Sequence, residues 1–280
     1  MITLIRRHMK LFFKDKASVF FSLLSVFIII ALYLLFLSEN MSSSLPTFDQ
    51  RAAFVFLWMF AGILAVTTAT APLGALGKFI EDRVGKKSED LLITKIKKRT
   101  LAYSYVFYSF IIGLIFTVLL FVFGFIYTYG KFSITLELSF SLVAVLVIST
   151  LMHTLLFYLI TSSLRTMSAF SGFSTIVGTL IGFLAGIYIP IGVLPIYLQK
   201  IMILFPTTQS AVLLRDLLMT DVLEPMKHHL PNEAYEEIIK TLGVTLQWND
   251  QVLSNQFSWM YLLGVTIVLV VVVLVRNRNT

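Results

Sequence analysis

A chain of 280 residues that is 58% hydrophobic and only 13% charged, with a mean hydropathy of +0.88, is not an ordinary soluble domain; those run about half apolar and a quarter charged. The net charge of +7 would point to nucleic acid in a soluble chain, but here no nucleic-acid partner is expected and the placement of the charges matters more. With no cysteine, disulfides, Cys-ligated zinc and thiol nucleophiles are excluded.

The chain opens with ITLIRRHMKLFFKDK at 2–16, where Ile2, Ile5, Met9 and Phe12 recur at helical spacing and Arg6, Lys10 and Lys14 share another face. This predicts an interfacial helix over 1–17, apolar side in lipid and basic side toward anionic headgroups. The next apolar run, 19–38, is as long as a full span and lacks a small-residue cleavage site, so it is expected as a span and not as a cleaved signal. A second span is expected at 53–75; its Thr67, Thr68 and Thr70 form the most polar patch in any span, and either satisfy their own backbone or face a pathway.

The loop 76–101 alternates Glu81, Asp82, Glu89 and Asp90 with Lys and Arg, and carries an apolar ridge of Leu91, Leu92, Ile93 and Ile96. Gly85 is expected to let the chain turn into a short amphipathic helix, which serves either as a docking surface or as a solvated connector. Spans follow at 102–128 and 138–162; His153, the one ionisable residue inside a span, is expected to be neutral and bonded to a neighbour. The span at 169–189 carries Gly178, Gly182 and Gly186, a doubled small-x-x-x-small pattern for close packing within a bundle or between subunits.

Residues 186–209, GIYIPIGVLPIYLQKIMILFPTTQ, are greasy yet broken by Pro190, Pro195 and Pro206 and by Gly186 and Gly192. Proline removes a backbone donor and clashes with the preceding turn, so this stretch is expected as a re-entrant hairpin of two short helices at the outer face, with Gly192 and Thr207 open to the outside. The segment 190–257 comprises that hairpin and an extracellular portion, and the last span is 258–275. Of the 22 basic residues, 16 fall on the side of the termini and 6 on the other, which puts both termini inside and requires an even number of spans. The expected fold is therefore an all-α polytopic membrane protein with six transmembrane helices in one domain over 1–280.

No span has Asp, Glu, Lys or Arg in its interior, which argues against a secondary transporter or channel that couples to ions. Neither H-E-x-x-H nor G-x-x-x-x-G-K-[ST] occurs, so no catalytic residue and no metal ligand is assigned, and the chain is not expected to be an enzyme. A non-transporting immunity or assembly factor stays open as an alternative.

Three features in order resemble the membrane subunits of type-2 ABC exporters: the basic helix ending in Lys14-Asp15-Lys16, the loop E-D-R-x-G-x-x-S-E-D-L-L at 81–92, and G-x-Y-x-P-I-x-x-L-P at 186–195 followed by Phe205-Pro206-Thr207-Thr208 and Arg215. Thr94-Lys95-Ile96 stands where the family often has a proline, and 209–257 is longer and more acidic than a minimal member needs. The resemblance implies a permease of the cell membrane that pairs with a second permease chain, identical or not, and with separate ATP-binding subunits that carry ATP and Mg. It implies that Gly85, Lys86, Glu89, Asp90, Leu91 and Leu92 form the coupling contact, and that Pro190, Gly192, Pro195, Pro206 and Arg215 form an outer gate. It also places Thr67, Thr68, Thr70, Gly178, Gly182 and Gly186 near the pathway of a hydrophobic or amphipathic substrate: drug, peptide, lipid or glycan-lipid.

Overall fold

The computed structural model describes residues 1–32, 41, 45–48, 50–249 and 251–278, apart from the side chains at positions 18, 21–23, 25 and 29. The apolar runs expected as spans beyond position 50 fold as helices: α3 Arg51–Val84, α5 Lys98–Phe132, α6 Phe140–Thr161, α7 Met167–Leu184 and α12 Asn255–Arg278. Among the described residues these 5 are long and apolar enough to cross a membrane. The run at 19–38 begins as α2, Lys16–Leu32, and its remainder lies outside the described residues.

Ser139 and Thr166 start α6 and α7 by accepting the backbone N–H of Leu142 and Ala169 at 3.1 and 3.2 Å, the usual way to satisfy an orphan donor at a helix N-terminus. With 34 residues, α3 is about 50 Å long at about 1.5 Å per residue, so it outruns a hydrocarbon core of about 30 Å. It is the central helix: its most apolar window is 94% buried, against 17% for α7 and 28% for α12. Pro72 inside α3 is tolerated where Gly113 of α5 lets the ring and Thr150 of α6 approach closely.

The helix expected at the N-terminus is α1, Ile2–Lys14, but its inward stripe is Leu4, His8 and Phe12, while Ile2 is exposed and Ile5 and Met9 are half-buried. The stripe is set by a protein partner, not by lipid: Leu4 packs with Leu101 and Tyr105 of α5, and Phe12 with Tyr108, Ile112 and Phe116. The loop 76–101 holds one short helix, α4, Lys87–Ile93, which stops before Ile96 of the expected ridge.

After α7 the chain makes a 3-10 turn at Ile191–Val193, then α8 Ile196–Ile203 and α9 Pro206–Leu218, which meet at 88°. Pro195 caps α8 and Pro206 is the first residue of α9, so Pro206 opens the second arm at the bend. The remaining segment forms α10 Thr220–His229, α11 Asn232–Thr241 and a small antiparallel hairpin, β1 Leu246–Trp248 with β2 Gln251–Leu253, in which Leu246 faces Leu253. That hairpin is the one departure from an all-helical fold among the described residues.

Candidate functional site

The broken stretch ends in a buried knot at the Arg51 end of α3. Arg215 of α9 is fully buried and donates from Nη1 to the Gly243 carbonyl at 3.1 Å, and from Nη2 to the Ala185 and Gly186 carbonyls at 2.8 and 3.3 Å. Its guanidinium lies 4.8 Å from the ring centroid of Trp58 on α3, and Trp58 Nε1 donates to the Leu242 carbonyl at 2.7 Å. A cation in an apolar interior is costly unless hydrogen-bonded; the carbonyls that end α7, together with the aromatic face, supply the compensation. Gly186 and Gly243 have φ of +66° and +63°, the left-handed region that glycine adopts freely, and both turns aim a carbonyl at Arg215.

The same geometry places the other residues of the broken stretch. Gly192 lies so close to the backbone of Lys240 and Thr241 that a Cβ would meet Thr241 Cα at 2.5 Å, and Pro190 leads directly into the 3-10 turn. Thr207, expected to be open to the outside, is buried: its hydroxyl lies 2.8 Å from Nε2 of His153, whose Nδ1 is 3.2 Å from Thr68 Oγ1. Because Thr68 spends its proton on the Ala65 carbonyl, the imidazole donates to Thr68 and accepts from Thr207, so a neutral ring satisfies both ends. Ser149–Ser210 at 2.8 Å and Ser258–Gln209 at 2.7 Å continue this polar seam between α9 and its neighbours.

The pathway candidates divide. Thr67 and Thr70 bond their own backbone, to Ile63 and Val66 at 2.8 and 3.1 Å. Gly178 and Thr70 come together in a cavity of about 360 Å³ between α1, α3 and α7, with Phe12, Met167 and Phe170 on its walls. Gly182 lies against the Tyr188 ring, and Gly186 is past the end of α7, so the three glycines do not form one helical stripe. Pro190, only four residues on from Gly186, is the signal in the sequence that the helix must stop first.

At the Val84 end the site is ionic. Asp82, fully buried, accepts from Arg7 Nη1 at 3.1 Å and from the Tyr105 hydroxyl at 2.9 Å, and Lys78 Nζ is 3.3 Å from its other oxygen. His8 Nδ1 lies 3.9 Å from the same carboxylate, and the ring stacks on Tyr105 at 4.2 Å. Burial, with the Arg7 guanidinium beside it, pushes the His8 imidazole down to about 4, so it is neutral near pH 7.

Beyond Asp82, Gly85 keeps an ordinary φ of −78° because its N–H still bonds Glu81 at 2.9 Å; the turn falls on Lys86, at φ +56°. Glu89 and Asp90 occupy the first turn of α4 and are exposed. Leu91 and Leu92 point back onto Leu101 and Tyr105, and the apolar side chain offered outward is Ile93, 86% exposed. The base of two long helices thus presents a small acidic and apolar tip on a firmly anchored element.

A buried seam through the bundle, a bent helix pair and an anchored tip under α3 now meet a comparison: residues 39–275 match the family description ABC-2 family transporter protein. The chain belongs to the ABC-2 transporter family. No curated protein and no solved structure matches it. The permease is accordingly an integral membrane component of an ABC transporter, and the match runs from before α3 almost to the end of α12.

His8 and Trp58 were not singled out from the sequence, and Asp82 and Ile93 were named only as part of the charge pattern and apolar ridge of 76–101, with no site role. For Asp82 a signal existed: an acid in the last turn of a helix opposes the helix dipole and calls for a cationic partner. For Trp58 there was none, since its acceptor is a backbone carbonyl 184 residues away.

Proposed function

We propose that this chain is half of the membrane pathway of an ATP-driven exporter. Two permease chains, identical or paired with a sister, line the pathway, and separate ATP-binding subunits carrying ATP and Mg dock beneath α4 in the cytoplasm. In this reading the basic end, with both termini, faces the cytoplasm of the cell membrane, and α8 with α9 re-enters the outer leaflet as a gate.

One observation carries the reading: α3 runs unbroken from the α4 tip, through the Asp82 cluster, to Trp58 on the Arg215 knot. A push at Glu89, Asp90 and Ile93 is transmitted along one packed helix to the outer cap. The exposed apolar face of α7 suits the second chain, and the cavity holding Thr70 and Gly178 suits a hydrophobic or amphipathic substrate such as a drug, peptide or lipid-linked glycan.

The test is reconstitution with an ABC ATP-binding subunit in vesicles. Export should require ATP, be blocked by vanadate, and disappear when residues 87–93 are deleted. Transport that persists without the ATPase and collapses with a proton gradient would reject the reading.

A further inference from the structure

The cavity of about 360 Å³ between α1, α3 and α7 is ordered along its length. Gly62 of α3 lies against Ile187, just past α7, and Gly77 lies against Phe170, so the two helices run antiparallel beside it. Thr70, Gly74, Gly77 and Glu81 face it from α3 at spacings of three and four, the mark of one helical face. Met167, Phe170, Ser174 and Gly178 do the same from α7.

From Thr70 to Glu81, as from Met167 to Gly178, a helix advances about 16 Å at about 1.5 Å per residue. A volume of about 360 Å³ drawn out over that length is a slot, about 20 Å² in section. At its waist only a glycine fits: a Cβ on Gly77 would lie 3.1 Å from the edge of the Phe170 ring. A single chain passes such a waist where a fused ring system does not.

The slot is also graded in polarity. Asp15, Lys78 and Glu81 line one end, where Asp15 and Glu81 reach water. At the other end Thr70 is buried and gives its proton to the Val66 carbonyl at 3.1 Å, and Phe12, Leu73 and Phe170 wall the space between. Charge at the polar end is already matched, with Lys78 Nζ 2.7 Å from Glu81 and 3.3 Å from Asp82, and Lys87 Nζ 3.2 Å from Glu81. A head with net charge would repel one member of each pair as it attracted the other. A head without net charge only adds hydrogen bonds.

We infer that this slot binds a single-chain amphiphile, its alkyl tail toward Thr70 and Gly178 and a hydrogen-bonding head of no net charge at Lys78 and Glu81. A slot of this length takes about twelve carbons at about 1.3 Å each, the zigzag advance of a C–C bond of about 1.5 Å. The inference narrows the substrate class within the export reading and, as to transport, rests on that reading.

The experiment uses the full chain in phosphatidylcholine nanodiscs, with no ATP-binding subunit present. The probe is monolauroylglycerol carrying a diazirine at the chain terminus or beside the head, photolysed and mapped by peptide mass spectrometry. The terminal diazirine should label Ser174 and Gly178, and the head-side one Lys78, Glu81 and Met167. Unlabelled monolauroylglycerol and dodecyl phosphocholine should both suppress the labelling, while dodecylamine and dodecanoate should do so several-fold less well. Ser174→Leu puts a side chain into the slot in place of a buried hydroxyl that has no hydrogen-bond partner among the described residues. Its melting midpoint should not fall, whereas labelling should drop about ten-fold, as overpacking an occupied site predicts. Thr175→Leu, on the exposed face of α7, should keep the labelling.

Label spread over exposed Ile176 and absent from the slot overturns the inference, as does one pattern from both diazirines. So does a loss in Thr175→Leu as large as that in Ser174→Leu. Stronger competition by dodecylamine or dodecanoate than by monolauroylglycerol overturns the assignment of a head without net charge. Labelling of the slot with no ATP-driven movement of the probe in reconstituted vesicles rejects the export reading and upholds the site.

Discussion

At its Arg51 end α3 meets a single guanidinium bonded to three backbone carbonyls; at its Val84 end it meets two cations, a tyrosine and a neutral histidine gathered on one carboxylate. Carbonyls are neutral and fixed by their own turns, so the Arg215 knot holds its geometry without a titrating acceptor. The Asp82 cluster is built from side chains, of which Arg7 and Lys78 reach water, and it reaches across to α1 and α5. One end is therefore a rigid clasp and the other an ionic joint, and their responses to mutation, pH and load should differ.

The largest effect should come from the clasp. Arg215→Met keeps the aliphatic stem but leaves three buried acceptors without donors, and each such loss costs about 1–3 kcal/mol. We expect a total on the order of 4 kcal/mol, seen as a lower melting midpoint of the detergent-solubilised chain. Arg215→Lys should recover little, because one ammonium cannot span the Ala185 and Gly243 carbonyls together. A midpoint for Arg215→Met that matches the parent would show the clasp to be incidental.

Next comes the joint. Asp82→Asn removes the charge that holds Arg7 and Lys78 and should destabilise by on the order of 3 kcal/mol, since breaking a buried pair strands its partner. Limited proteolysis should then cut α1 free of the bundle faster than it opens α9. Equal release of both would mean that the two ends unfold as one unit and the comparison fails.

A smaller, graded effect separates the ends by pH. His8 in the fold sits near 4, below its ordinary value of 6.5. The unfolded chain therefore binds a proton between pH 6.5 and 4 that the folded chain does not. Stability from this group is full above pH 6.5 and is lost as pH falls, at up to about 1.4 kcal/mol per pH unit. His8→Gln should flatten the melting profile over that window, and Arg215→Met should not change its slope. An unaltered slope in His8→Gln would assign the acid sensitivity elsewhere.

How far this was legible in the sequence follows the same division. Spans beyond position 50 show in the sequence because burial in lipid demands about 20 apolar residues in a row, and the broken character of 186–209 because proline and glycine act locally. Arg215 was marked for the outer region, but its acceptors are backbone carbonyls 28 to 30 residues away, which leave no trace in residue type. Arg7 and Asp82 are 75 residues apart, and only the awkward place of Asp82 at a helix C-terminus hints at the pairing. Leu91 and Leu92 looked like an outward ridge because a seven-residue helix is too short for its pattern to say which face is inward; the position of α5 decides it.

The smallest effect on stability belongs to the tip, and that is what makes it informative. Glu89 and Asp90 are exposed, and no hydrogen bond or ion pair joins their side chains to another described residue, so Glu89→Lys with Asp90→Lys should shift stability by no more than about 0.5 kcal/mol. Both acids also sit at the favourable end of the α4 dipole, so a small loss is expected and a gain is not. The same pair should nevertheless abolish co-purification with an ABC ATP-binding subunit, because reversed charge at a docking rim repels a complementary surface. Ile93→Ser should weaken that complex while leaving the melting midpoint in place, since the side chain is 86% exposed before docking and buries nothing in the isolated chain. If the charge-reversed chain still binds the ATPase with parental affinity, the load enters the permease elsewhere and the ionic joint at Asp82 is only a structural tie.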